Sequence, residues 1–341
     1  MKGFYFILQT VFFITLVACS PKQSISYKIV TKSNAKNIST ADTIYLSLNT
    51  LNKTKSHQFY WNNQELENPY IVPQTTGEQQ VKAVIETEIG TKEIFKNIRV
   101  YAPVEPKVYT YKLVNTYPHD INAYTQGLEF VGDILYESTG QYGASSLRKV
   151  DFKTGAIIQK LALDNAYFGE GITHFNGNII QLTWKKQLGF VYNASDLTLT
   201  KSFKYTKSPE GWGLCNDGKV LYKTDGSQKI WTLDPNTFEE LGSKDIVTHN
   251  TFIFKVNELE YVNGMIYGNT YQFNKDVMII IDPETGIVQG VVDFSGLKKK
   301  VQQHNKLDVF NGIAYHPTRK TFFVTGKYWD KLFEVKIIEK Q

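Results

Sequence analysis

Five residues recur at one place in five successive segments of the chain, and their types are those from which a small polar site is built. They are Gln126, Glu170, Trp212, Asn257 and Asn311, each two positions ahead of a matched aliphatic residue: Leu128, Ile172, Leu214, Leu259 and Ile313. A second set, Trp184, Asp225, Tyr271 and Lys327, follows 13 to 16 residues later. A carboxyl group can carry protons between reacting atoms. An ammonium and side-chain amides can donate to a developing oxyanion. Aromatic rings can confine a flexible chain in a reactive shape. The mixture fits a pocket for a small molecule or a chain end. The same residues could instead plug a structural axis with hydrogen bonds and stacked rings. A carboxyl group among uncharged amides and indoles weighs against that use, because burial opposes its ionisation and such groups gather at functional sites.

The elements that must position these residues are visible as a repeat. Its copies read QGLEFVGDILYESTG from Gln126, EGITHFNGNIIQLTW from Glu170, WGLCNDGKVLYKTDG from Trp212, NELEYVNGMIYGNTY from Asn257 and NGIAYHPTRKTFFVTGK from Asn311. Each is a strand, a tight Asn/Asp/Gly turn and a second aliphatic-aromatic strand. The matched aliphatics lie 44, 42, 45 and 54 residues apart, close to the roughly 40 to 50 of a four-stranded propeller blade. The outer halves read as further hairpins, LRKVDFKTGAIIQKL, GFVYNASDLTLTKSF, KIWTLDPNTFEELGS and VMIIIDPETGIVQGVV. Asp opens these turns, and in DFKTG and DPETG a Gly takes positive φ. The spacing predicts an all-β chain whose residues 108–341 form a five-bladed β-propeller. The last copy has only one strand left after its hairpin, so Val108 to Tyr117 is expected to complete its blade and remove an exposed edge. Innermost strands line the axis, so the repeated residues converge at one mouth.

Ahead of the repeat, residues 24–102 alternate polar and apolar residues in bursts such as TIYLSLNTL and QVKAVIETEIG, which predicts a small Ig-like β-sandwich acting as a spacer or adaptor. Residues 103–107, with Pro103 and Pro106, suit a stiff linker. At the start, Lys2 precedes an apolar run from Phe4 to Ala18 that reads as a secretory signal. Its end, Leu16-Val17-Ala18-Cys19, resembles the lipobox of bacterial lipoproteins. Residues 1–19 are therefore expected to be a signal peptide, with Cys19 lipidated and the mature protein held on the periplasmic side of a membrane or at the cell surface. Cys215 is then the only thiol left and reads as a buried small hydrophobe. The formal net charge of +5 is spread over interspersed Lys, Arg, Asp and Glu, with no basic block longer than Lys298 to Lys300. That excludes a nucleic-acid stripe.

The stretches YPHDINAYTQGLEF, LYESTGQYGASSLRKVD, FGEGIT, QLTWK, EGWGL, NELEYV, NGIAYH and TGKYW run in order from Tyr117 to Trp329. In them the repeat domain resembles the plant-type glutaminyl-peptide cyclotransferases, or glutamine cyclotransferases; residues 24–102 lie outside that resemblance. It implies a five-bladed propeller acyltransferase that cyclises N-terminal glutamine on peptides or proteins, without metal or other cofactor. The family's catalytic glutamate falls on Glu170 and its supporting polar groups on Gln126, Asn257 and Lys327. Its aromatic wall falls on Phe168, Trp184 and Trp212, and Tyr271 stands where the family usually has Trp.

Those roles match the chemistry of the residues. Cyclisation needs a neutral α-amine, a held oxyanion and a proton for departing ammonia. The six histidines, His57, His119, His174, His249, His304 and His316, show no metal-ligand spacing. Two other readings use the same residues. A non-catalytic propeller binding peptide ends or glycans would keep the indoles and tolerate loss of Glu170. A metal-dependent lactonase would group Glu170, Asp225 and Asn257 about a cation, which Lys327 would repel.

Overall fold

Short runs of β-branched and aromatic residues closed by Asn, Asp and Gly turns favour strands, and no α-helix is present among the described residues. A computed structural model describes residues 26–33 and 35–340. The expected signal peptide and Cys19 lie outside the described residues.

The N-terminal part contributes β1 (Tyr27–Ser33), β2 (Thr43–Thr50), β3 (Ser56–Trp61), β4 (Gln64–Glu65), β5 (Tyr70–Ile71), β6 (Gly77–Thr87) and β7 (Gly90–Val100). They form two sheets, ordered β1-β2-β5 and β4-β3-β6-β7. One core joins them, with Ile29, Ile44 and Leu46 packed among Phe59, Trp61, Val81, Ile85 and Val100. Three hydrogen bonds pin this part to the remainder of the chain. The Glu78 N–H donates to Asp245 Oδ2 at 2.8 Å, Thr76 Oγ1 to the Thr285 carbonyl at 2.8 Å, and the Ala102 N–H to the Thr248 carbonyl at 3.0 Å.

After β8 (Lys107–Pro118), β9 (Thr125–Val131), β10 (Ile134–Thr139), β11 (Ser146–Asp151) and β12 (Ile157–Ala162) make the first four-stranded antiparallel sheet. The second holds β13 (Gly169–Phe175), β14 (Asn178–Thr183), β15 (Leu188–Asn193) and β16 (Leu199–Lys204), and the third β17 (Leu214–Asn216), β18 (Leu221–Thr224), β19 (Lys229–Leu233) and β20 (Glu240–Asp245). Next come β21 (Val256–Val262), β22 (Met265–Thr270), β23 (Val277–Ile281) and β24 (Val288–Asp293), then β25 (Phe310–His316), β26 (Thr321–Gly326) and β27 (Lys331–Glu339). These last seven join β8 in one eight-stranded sheet, β21-β22-β23-β24-β8-β27-β26-β25. As expected, the Val108 to Tyr117 segment lies antiparallel to the terminal strand, from Pro118 opposite Lys331 to Tyr109 opposite Glu339. It also runs parallel to β24 at Val108 and Val291, a pairing the repeat does not reveal.

The first strands meet in a closed ring: β9 touches β13, β13 touches β17, β17 touches β21, β21 touches β25, and β25 returns to β9. Inner strands such as β9 and β13 are almost wholly buried, while outer strands such as β12 and β16 are mostly exposed. Hydrogen bonds pass around this ring from one sheet to the next. Ser138 Oγ donates to the Glu170 carbonyl, the Gly171 N–H to the Trp212 carbonyl, Thr224 Oγ1 to the Asn257 carbonyl, Asn269 Nδ2 to the Phe310 carbonyl, and Asn311 Nδ2 to the Thr125 carbonyl. At the third sheet the approach is close enough to require glycine: a Cβ on Gly213 would lie 1.8 Å from the Asn257 carbonyl oxygen.

Candidate active site

The repeated polar residues reach the axis because the inner strands bulge where they occur. Register shifts fall between Gly169 and Ile172 on β13, Val256 and Leu259 on β21, and Phe310 and Ile313 on β25. On β9, Thr125 and Gly127 pair with Thr139 and Ser138, leaving Gln126 out of the ladder. A bulge inserts an unpaired residue and re-aims its side chain. Glu170, Asn257, Asn311 and Gln126 occupy these insertions, while Trp212 lies just ahead of β17.

All eight residues assigned to the site, Gln126, Phe168, Glu170, Trp184, Trp212, Asn257, Tyr271 and Lys327, line one cavity of about 350 Å³. Its polar floor is buried, with Glu170 at 4% exposure and Gln126, Asn257 and Lys327 at 3% or less. Trp184, Trp212 and Tyr271 are half-buried. Gln126 Nε2 donates to Glu170 Oε1 at 3.0 Å, while Glu170 Oε2 and Asn257 Oδ1 are buried without a partner. Asn311 does not line the cavity. Its Nδ2 reaches Gln126 Oε1 at 3.3 Å, and its Oδ1 accepts from Asn269 Nδ2 at 2.9 Å, so it braces Gln126 from behind.

Asp225 departs from the expectation. Its Oδ1 accepts the Ser227 N–H at 3.0 Å and its Oδ2 accepts Trp231 Nε1 at 2.8 Å, so it caps the turn into β19 and does not line the cavity. Three lining residues lie outside those assigned from the sequence: Tyr124, Gln141 and Tyr142. Tyr124 was within reach of sequence reasoning, two residues ahead of Gln126. The others sit on the connection between β10 and β11, which the repeat pattern does not mark.

Electrostatics separate the two charged groups of the floor. Burial pushes the Glu170 carboxyl well above the usual carboxylate range; Lys327 and the Gln126 hydrogen bond pull it down, and Glu210 adds to the rise. Burial also brings the Lys327 ammonium down to about 8, against the attraction of Glu170 and Asp308. Lys327 Nζ lies 4.5 Å from the Tyr124 ring centre and 4.7 Å from that of Tyr271, so two electron-rich faces replace part of its lost hydration. The turn carrying Lys327 is fixed through the Tyr328 N–H, which donates to the Ala123 carbonyl at 2.7 Å.

The rings are seated with equal closeness. Phe168 and Trp184 lie 5.4 Å apart, and Trp212 meets Tyr271 edge-on at 6.3 Å. Gly226, at φ +80°, leaves the space the Trp212 indole fills; a Cβ there would stand 2.6 Å from it. Among the described residues no group of three or more His, Cys, Asp or Glu side chains is arranged to hold a metal.

A carboxyl group, an ammonium and two amides, enclosed by aromatic rings, thus line one cavity of an all-β, propeller-like fold. A family model described as glutamine cyclotransferase matches residues 60–337, and the chain belongs to that family. The match begins on β3, well ahead of the motifs that start at Tyr117. Over 230 residues the chain is 40% identical to glutaminyl-peptide cyclotransferase of Arabidopsis thaliana, covering 66% of this chain and 71% of the relative. The crystal structure of Myxococcus xanthus glutaminyl cyclase superposes with a TM-score of 0.65 at 33% identity, covering 70% of this chain and all of that one.

Proposed function

We propose that the protein converts an N-terminal glutaminyl residue of a peptide or protein into pyroglutamate with release of ammonia, and that Glu170 carries the protons. Family membership supports the reaction. The observation that supports the role of Glu170 is its free oxygen: the residue lines the cavity, Oε1 is held by Gln126, and Oε2 is buried without a partner.

In this mechanism the neutral α-amine attacks the γ-carboxamide carbon of its own residue, forming the ring C–N bond and a tetrahedral oxyanion. Lys327 and the Asn257 amide donate to that oxyanion. Glu170 takes the proton that the attacking nitrogen sheds and returns it to the departing amide nitrogen. The C–N bond to that nitrogen breaks, ammonia leaves, and Glu170 ends as it began. Burial raises its pKa and so makes the carboxylate a stronger base than an exposed one. Phe168, Trp184, Trp212 and Tyr271 hold the glutaminyl chain folded, where an intramolecular reaction gains most.

In this reading Lys327 and the Asn257 amide stabilise the oxyanion, the part a Lewis-acidic metal would otherwise play, and the mechanism is metal-free. The chain folds as a small Ig-like sandwich followed by a propeller of five blades, the eight-stranded sheet counting as two blades joined through β8. An experimental structure with a different number of sheets about the axis would overturn that count. Cys19 carries a lipid anchor at a membrane, tested by loss of labelling with a radioactive fatty acid in Cys19→Ala.

The function is tested by incubating the protein with a Gln-initiated dipeptide and measuring ammonia together with loss of the free amine. Stoichiometric appearance of both, unchanged by EDTA, is the expected result. No ammonia would overturn the activity, and loss with EDTA restored by zinc would overturn the metal-free mechanism.

A further inference from the structure

One carboxylate outside the residues assigned above touches both indoles of the cavity. Glu210 lies on the connection between β16 and β17, and its Oε2 accepts Trp184 Nε1 at 2.7 Å and Trp212 Nε1 at 2.8 Å. Trp184 follows β14 in the second sheet and Trp212 precedes β17 in the third, so a single oxygen ties together rings from two sheets. The backbone around it is equally fixed. The Gly211 N–H donates to the Trp184 carbonyl at 2.9 Å, and Lys223 Nζ donates to the Glu210 carbonyl at 2.9 Å. Lys223 is fully buried and lies 3.5 Å from Glu240 Oε1, whose carboxylate accepts the Lys207 N–H at 2.6 Å. The segment from Lys207 to Trp212 therefore stands on a buried ion pair.

An indole N–H pointed at a carboxylate has one strongly preferred direction, because a charge-assisted hydrogen bond is about twice as strong as a neutral one. Sharing one acceptor removes the freedom of each ring to turn about its side-chain bonds. A ring alone would give an apolar surface; two rings fixed by a common anion give a slot of set shape.

We propose that Glu210 is a positioning residue of the cyclisation, holding Trp184 and Trp212 in the orientation that keeps the bound glutaminyl chain folded for attack. This deepens the proposed cyclase activity and rests on it. Glu210 also adds negative charge near Glu170 and contributes to its raised pKa. The carboxylate thus has two effects that substitution separates. Glu210→Gln keeps an acceptor for the indoles and removes the charge. Glu210→Ala removes both.

The test compares wild type, Glu210→Gln and Glu210→Ala on a Gln-initiated dipeptide, with near-ultraviolet circular dichroism of each free protein as a readout that needs no activity. Glu210→Ala should change the tryptophan bands and lose about 100-fold in kcat, the scale of a misplaced reactive geometry, with a smaller change in KM. Glu210→Gln should retain the bands and most of kcat, and its acidic kcat limb should move to lower pH, because removing a like charge lowers the Glu170 pKa. A merely structural role predicts no rescue by Gln. Unchanged bands and kcat in Glu210→Ala, or loss of the bands and of kcat in Glu210→Gln, overturn the proposal; an unmoved limb removes only the charge effect on Glu170. An inactive wild type would instead defeat the activity itself, and the tryptophan bands would still report whether Glu210 orders the rings.

Discussion

Gln126 and Glu170 lie on neighbouring inner strands, each in a β-bulge, and are joined at 3.0 Å through Nε2 and Oε1. That single hydrogen bond fixes one oxygen of the carboxyl group and leaves the other buried without a partner. Gln126 is itself held by Asn311. The Glu170 carboxyl group is thus positioned by residues of three of the five inner strands while one of its oxygens stays unpartnered.

The pH profile should be a narrow bell. An α-amino group titrates at roughly 7.7 to 8.0, so kcat/KM should rise through neutral pH as free substrate loses its proton. Burial brings Lys327 down to about 8, so the oxyanion donor loses its charge over nearly the same range and the profile should fall on the alkaline side. Initial rates with a Gln-dipeptide across this range check the shape. A rate that keeps climbing well beyond pH 9, about one unit above that pKa, would remove the Lys327 ammonium from the mechanism.

The aromatic wall should act on kcat as well as on KM. Trp212→Ala is expected to lower kcat, because the ring holds the folded conformer in the transition state and not only the bound peptide. Gly226→Ala reaches the same ring from behind, since its new Cβ would stand 2.6 Å from the indole; it should lower kcat/KM by roughly tenfold or more. Steady-state kinetics of both variants decide the matter. If Trp212→Ala raises only KM, the ring is a uniform binding surface.

Much of this site was legible in the sequence because propeller strands repeat their geometry. The residue two places ahead of each matched aliphatic falls at a bulge or just before the strand, so one alignment of five segments found Gln126, Glu170, Trp212, Asn257 and Asn311 together. The same logic misplaced Asp225, because position in a repeat does not report local partners: Ser227 and Trp231 capture its carboxylate. Gln141 and Tyr142 escaped because they lie on a connection, where spacing varies and no period marks them. Glu210 was passed over for the same reason, although it stands within the EGWGL motif. The parallel pairing of β8 with β24 joins residues far apart in sequence through a backbone ladder, which leaves no pattern of residue types.

His119 should make stability depend on pH from both sides. Its Nδ1 lies 2.7 Å from the Trp329 carbonyl and its Nε2 3.0 Å from Glu137 Oε1, two acceptors that together call for the doubly protonated ring. Burial opposes that charge, but Glu137, the Trp329 carbonyl and Asp120 together outweigh it and the His119 pKa is raised. The Glu137 carboxyl is likewise resisted by burial and held below its usual range by His119 and Arg148. The histidine's contribution is therefore complete below its unfolded pKa of about 6.5 and lost as pH rises through the higher folded value. The glutamate's is complete above its unfolded value of about 4.3 and lost as pH falls through the lower folded one. Denaturant unfolding of wild type and His119→Gln should show the largest difference between those unfolded values, on the order of 3 kcal/mol for a broken buried pair. The difference should shrink at alkaline pH; one that stays constant across the range would show that the ring is not charged.

Proton transfer by Glu170 is checked without intermediary by the turnover of Glu170→Gln on a Gln-initiated dipeptide, measured as ammonia released at saturating substrate. The substitution keeps the shape of the side chain and its contact with Gln126 but cannot carry a proton. A fall in kcat of at least about 100-fold is expected, the lower range for losing a general acid or base, with the unfolding midpoint close to wild type. Turnover near the wild-type rate in a folded Glu170→Gln protein would contradict the role given to this carboxyl group.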